Sequence, residues 1–145
     1  MLSKIKKIFI LISVFTFLLF QSNISYASDD LKKYISQFID SKIFPYHLLD
    51  DNYRVYYKQG EVVLVFNKDE LKSMYDEQNK IIKEFQTKNF KILGQLDTKH
   101  FTSVTYEYDY LMIAGNMKID GKMVGHSILK KTANSWKTIF QTASQ

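Results

Sequence analysis

The longest regular pattern in the chain is an alternation near its C-terminal end. Val104, Tyr106, Tyr108, Tyr110 and Met112 alternate with Ser103, Thr105, Glu107, Asp109 and Leu111, the period of two expected of a strand with one buried face. Asp120-Gly121 reads as the hairpin turn that follows, because glycine tolerates the positive φ of a tight turn. A second strand then spans Met123–Lys131, Ala133-Asn134-Ser135 turns the chain again, and Trp136–Thr142 is the last strand. The rest of the chain is organised around this meander, which begins at Phe101.

Upstream the period changes to that of a helix. Leu31, Tyr34, Ile35, Phe38 and Ile39 fall at i, i+3, i+4, i+7 and i+8, behind Asp29 and Asp30, either of which can cap. The helix has to end before Pro45, whose ring pushes Phe44 out of helical conformation. Pro45–Asn52 is expected to form one helical turn and then a loop. Its Asp50-Asp51-Asn52 cluster is turn chemistry, since it lacks the spacing of a calcium loop. Tyr53–Lys58 and Glu61–Phe66 predict a hairpin around Gln59-Gly60. Asn67 and Glu70 have the spacing of a capping box. The helix they open is expected to carry Leu71, Met74, Tyr75, Gln78, Ile82 and Phe85 on one face, with Ile81 at its edge. Lys83 and Lys88 would lie near its negative end and Asn89 would be its left-handed stop. Phe90–Leu96 is a further strand, and Asp97–His100 turns the chain into the meander.

Composition adds a compartment. The first 27 residues have the form of a secretory signal: Lys4, Lys6 and Lys7, then a 13-residue apolar core, Ile8–Phe20, then Ser25-Tyr26-Ala27 with small residues where a signal peptidase reads. Cleavage is expected after Ala27, which exports a domain of residues 28–145 to the periplasm or the medium. An uncleaved anchor is the alternative, although the apolar core falls short of the roughly 20 residues that span a bilayer. The chain has no cysteine, so neither a disulfide nor a lipid on a cysteine can help, and the core alone must hold the fold. Subtracting the three leader lysines from 20 basic residues leaves 17 against 15 acidic ones. The mature charge is therefore only about +2, and no Lys/Arg cluster interleaves with the aromatics, which argues against nucleic-acid binding.

The close of the chain, GHSILKKTANSWKTIFQTAS, carries Gly125, Lys130, Lys131, Trp136, Ile139 and Ser144. It resembles the end of SnoaL-like members of the nuclear transport factor two-like superfamily, where a strand ending in basic residues turns into one opening with Trp. TKHFTSVTYEYDY is similar to that family's turn into its long central strand, and IDGKMVGHS to the hairpin after it. The resemblance implies an α+β cone of order α-α-β-β-α-β-β-β-β. In it, N-terminal helices pack on a strongly curved, mainly antiparallel sheet that leaves a pocket at its open end. Members include isomerases, cyclases, dehydratases, assembly domains and secretion-system components, so the fold does not fix the function. One departure bears on ligands. The similar last strand of the association domain of calmodulin-dependent kinases carries His residues and a pocket Arg, where this chain has Phe140, Thr142 and Ala143.

His47, His100 and His126 are the only histidines. They sit on three different elements without a partner at i+4, so neither a metal site nor a cofactor is expected. His126 alternates with Val124 and Ile128 and is expected to share their buried face. Isomerases of this fold pair a carboxylate base with hydroxyl donors. Here Glu107 and Asp109 alternate with Tyr106, Tyr108 and Tyr110, which puts acids and phenols on opposite faces. The expected ligand-binding residues are Tyr108, Tyr110, His126 and Gln141 on successive strands, with Tyr56 of the early hairpin at the mouth. Apolar walls with a few neutral polar groups suit uncharged or weakly polar ligands. If Ile139 and Gln141 face the cone, Trp136 and Phe140 face outward and invite a symmetric homodimer. The expected function is that of an exported domain binding a small, largely apolar molecule or a protein partner. The resemblance leaves two others open: an isomerase- or cyclase-like enzyme on a carbonyl or cyclic substrate, and a periplasmic secretion-system assembly component anchored by its leader.

Overall fold

The computed structural model describes residues 28–39, 44–59 and 61–144. The expected leader, 1–27, and Gly60 of the first hairpin turn lie outside the described residues.

Helix α1 covers Asp29–Ile39. Its cap is Ser28 rather than either aspartate: Ser28 Oγ accepts the Leu31 amide hydrogen at 3.2 Å. Asp29 and Asp30 occupy the first turn, where negative charge meets the positive end of the helix dipole. Leu31, Tyr34, Ile35 and Ile39 are buried, as their spacing predicts. A 3-10 turn, Tyr46–Leu48, follows Pro45, and strand β1, Leu49–Gln59, starts directly after it. The expected loop through Asp50–Asn52 is therefore already strand. Strand β2, Val62–Asn67, completes the hairpin and leads into helix α2, Lys68–Asn79. There Asn67 Oδ1 accepts the Asp69 and Glu70 amide hydrogens at 2.9 Å, and Glu70 Oε2 accepts that of Asn67 at 2.9 Å. This is the capping box read from the sequence.

Strands β3 (Ile82–Asp97), β4 (Phe101–Ala114), β5 (Met117–Lys131) and β6 (Trp136–Ser144) form the meander. The six-stranded sheet has the order β2-β1-β6-β5-β4-β3, with every pair antiparallel except β1 and β6. Two helices thus pack on a curved, mainly antiparallel sheet, the α+β arrangement expected. Side chains of α1 and the inner faces of β4 and β5 make one core cluster, including Leu31, Ile35, Val104, Tyr106 and Leu129. Phe44, Leu49, Tyr53 and Val55 make a second beside α2.

Several expectations give way to the actual register of the strands. Helix α2 stops at Asn79, so Ile82, Lys83, Phe85 and Lys88 belong to β3. A bulge between Ile82 and Glu84 lets Ile82 face Ala114 while Phe85 faces Met112. The extra residue gives two strand residues three apart one common face, the spacing of a helix. Asn89 does have a positive φ of 55°, but within another bulge of β3, between Lys88 and Lys91. Asp120-Gly121 is no turn: it lies inside β5 opposite Leu111 and Tyr110. The turn is Gly115-Asn116, with Gly115 at φ 60°, where the absence of a β-carbon removes the steric cost.

A further correction concerns Trp136. A bulge between the Ile128 and Leu129 pairs of β5 and β6 sets Phe140 opposite Ile128 and Thr138 opposite Leu129. Trp136, expected to face outward with Phe140, instead packs on the α1 core cluster. Its Nε1 donates to Thr102 Oγ1 at 3.1 Å, and its ring lies 5.7 Å from that of Tyr34.

Candidate functional site

Between the inner sheet face and the two helices lies a cavity of about 520 Å³, within the usual range of small-molecule sites, about 300–1,000 Å³. Phe38 and Ile39 of α1, Phe44, Leu49, and Leu71 and Tyr75 of α2 wall it on one side, and Phe85, Tyr108 and Met112 on the other. Gln78, Asn79 and Lys83, all exposed, sit at its rim. Each wall residue follows from a local rule: Leu71 and Tyr75 share a helix face at i and i+4, and Tyr108 and Met112 share a strand face.

The polar part of the wall is a hydrogen-bonded chain. Tyr53 Oη donates to Gln141 Oε1 at 2.9 Å, and Gln141 Nε2 donates to Tyr106 Oη at 2.7 Å. Tyr106 Oη then lies 3.3 Å from Ser127 Oγ; because its oxygen already accepts from Gln141, its own hydrogen is available to Ser127. Tyr53, which also lines the cavity, and Tyr106 are fully buried. Burial pushes both phenols above their ordinary pKa, in Tyr53 reinforced by the neighbouring Tyr106, and in Tyr106 against its bonds to Ser127 and Gln141. The chain is therefore neutral at physiological pH. Gly125 makes room for it, since the Tyr106 ring lies where a side chain would start.

Glu84 is the only carboxylate lining the cavity among the described residues. It pairs with Ile113, while Phe85 pairs with Met112, so its side chain belongs to the outer sheet face. There Gln86 Nε2 donates to its Oε1 at 2.5 Å. Glu107 and Asp109 also lie on that face, as their alternation predicts: Glu107 faces Lys91 at 3.8 Å and Lys122 at 3.5 Å, and Asp109 accepts from Asn89 at 2.7 Å. Among the described residues, the inner wall offers hydroxyls and an amide rather than a general base.

The comparisons with known proteins bear on this architecture. No protein-family model and no curated protein matches the chain in sequence. Solved structures do match. A ketosteroid isomerase-like protein from Erwinia carotovora atroseptica superposes with a TM-score of 0.61 at 17% identity, over 77% of this chain and 86% of that one. The chain has the nuclear transport factor two-like fold. An NTF2-like protein from Cytophaga hutchinsonii agrees at a TM-score of 0.55 and 15% identity, over 78% of this chain and 90% of its own. A third, an NTF-2 like protein of unknown function from Silicibacter pomeroyi, gives 0.56 at 8% identity, over 79% and 92%.

Within this nuclear transport factor two-like cone the expected site residues part company. Tyr108 and Gln141 line the cavity together. Tyr110 shares the strand face of Tyr108 but stacks on Phe85 at 6.5 Å and covers Gly121, beside the cavity rather than in its wall. His126 pairs with Thr105 and Thr142 on the outer face, where Nδ1 lies 2.9 Å from Thr105 Oγ1 and Nε2 lies 3.3 Å from Ser103 Oγ. Tyr56 is also on the outer face, its ring 5.2 Å from Phe140. The residues that sequence reasoning missed are Tyr53 and Tyr106. Tyr53 was legible as the residue in phase with Val55, and Tyr106 as the phenol opposite a glycine.

Proposed function

We propose that this domain binds a small, largely apolar, uncharged molecule in the cone cavity and is exported after loss of residues 1–27. The observation that carries the reading is the cavity of about 520 Å³, walled by Phe38, Leu49, Tyr75, Phe85 and Met112 and carrying one neutral polar cluster at Gln141. Such a wall stabilises apolar surface by removing it from water, while the few polar groups set orientation. An isomerase or cyclase reading would need a base inside the cone, and among the described residues the nearest carboxylate, Glu84, is engaged by Gln86 on the other sheet face.

Filling the cavity tests the binding reading. Met112→Trp places an indole in the space the ligand needs, so a naphthalene-sized probe that binds the wild type should lose affinity at least tenfold by calorimetry, with the fold retained by circular dichroism. Unchanged affinity in a folded variant overturns it. Export is tested by intact mass: the secreted or periplasmic protein should begin at Ser28, and recovery of full-length, membrane-bound chain alone would favour the anchored assembly role instead.

A further inference from the structure

We infer that the cavity selects ligands whose polar group is a hydrogen-bond acceptor, a carbonyl above all, and that Gln141 is the residue that makes this choice; the inference rests on the cavity being a ligand site. Valence decides which group Gln141 has to spare. A primary amide carries two N–H groups and one oxygen. Gln141 spends its oxygen on the Tyr53 hydroxyl and one N–H on the Tyr106 oxygen. Exchanging the amide oxygen and nitrogen would reverse the chain and leave the same remainder. In either orientation one N–H is left over on a side chain that lines the cavity.

The two leftover capacities of that amide are not equivalent. An oxygen with one bond made is tolerated, whereas an N–H without an acceptor is among the rarest and costliest groups in a protein interior. Water serves it when the cavity is wet. An apolar ligand that expels the water must bring an acceptor or leave the N–H bare. The neighbouring phenols do not relieve the demand, because Tyr53 and Tyr106 are already committed on either side of Gln141 and hold it in place. The packing that holds the amide also sets its polarity, so a ketone, ester or lactone oxygen is favoured over a bare hydrocarbon of the same shape.

Three matched probes separate this from general hydrophobic binding: acetylnaphthalene, ethylnaphthalene and naphthylethanol, titrated calorimetrically into the protein. The ketone should bind roughly three- to tenfold more tightly than the hydrocarbon, the net worth of one hydrogen bond. In Gln141→Glu the carboxylate accepts from both Tyr53 and Tyr106 and offers only acceptor oxygen to the cavity, so the order should reverse and the alcohol should outbind the ketone. Equal binding of ketone and hydrocarbon to the wild type overturns the inference and leaves the cavity a ligand site. Failure of all three probes to bind overturns the site itself. Should Gln141→Glu not fold, the wild-type ranking decides alone.

Discussion

A β-carbon built on Gly125 would lie 2.5 Å from two ring carbons of Tyr106, well inside any non-bonded contact. Tyr106 is fully buried and bonded to Gln141 and Ser127, so its ring has nowhere to retreat without breaking the polar chain. Gly125→Ala should therefore destabilise the domain by about 1–3 kcal/mol, the usual cost of overpacking a core, measured as a lower urea midpoint at unchanged slope. A midpoint equal to wild type would mean that the Tyr106 ring can move freely. Asp97 is a comparable fixed point at the other end of β4. Partial burial alone would raise its pKa, but hydrogen bonds from Thr102, Lys131 and Gln95 outweigh it and hold the carboxyl below its usual range. Thr102 Oγ1, the acceptor for Trp136, donates to it at 2.7 Å, so one carboxylate anchors the start of β4 and, through Thr102, the start of β6.

The bulge in β6 decides what the outer face of the sheet presents. With Trp136 turned inward, Phe140 is left on that face with Tyr56, and the register sets Val65 opposite Tyr56. Tyr56 is 40% and Val65 48% exposed, an apolar patch of the kind that pairs with a partner. We propose that two copies associate through it. Phe140→Glu should then yield a monomer in light scattering where the wild type is a dimer, and a wild type that is monomeric at high micromolar concentration refutes the pairing. The same bulges explain what could be read from the sequence. Elements with an unbroken period were legible: the α1 stripe, the capping box at Asn67, the alternation of β4. Where one residue was inserted, the side chains on its two sides fall out of phase with each other, and nothing in Ile82-Lys83-Glu84 or Thr138-Ile139-Phe140 marks the insertion. Asp120-Gly121 misled for another reason: its glycine is there to admit the Tyr110 ring, not to turn the chain. Of the expected ligand residues, Tyr108 and Gln141 do line the cavity: β4 keeps its period around Tyr108, and Gln141 lies beyond the β6 bulge, whose shift falls on Trp136.

Over the whole molecule, the buried phenols set the response to alkali. Burial raises Tyr34, Tyr53 and Tyr106 together, Tyr34 to about 12 despite its bonds to Thr138. An unfolded tyrosine ionises near pH 10. Below that pH both states hold the proton and the full stability is present. Above it the unfolded chain loses protons that the folded chain keeps, so stability falls as pH rises from about 10 towards 12. Tyr34 alone should account for a loss on the order of 2 kcal/mol across that interval. Phenolate absorbance should accordingly show one set of tyrosines titrating smoothly and a second set appearing only with cooperative unfolding. A single smooth titration would contradict the buried assignment.

The parallel pairing of β1 with β6 has a kinetic consequence. β6 is the only strand that joins the β1–β2 hairpin to the β3–β5 meander, and it is the last to leave the ribosome. Until then the chain holds two separate pieces of sheet, neither with its central neighbour, and the closing contact is the longest-range strand pairing in the sheet. Long-range pairing of this kind folds late and slowly. The hairpin and the meander would thus stay apart until β6 is made, so the sheet closes in one late step rather than strand by strand.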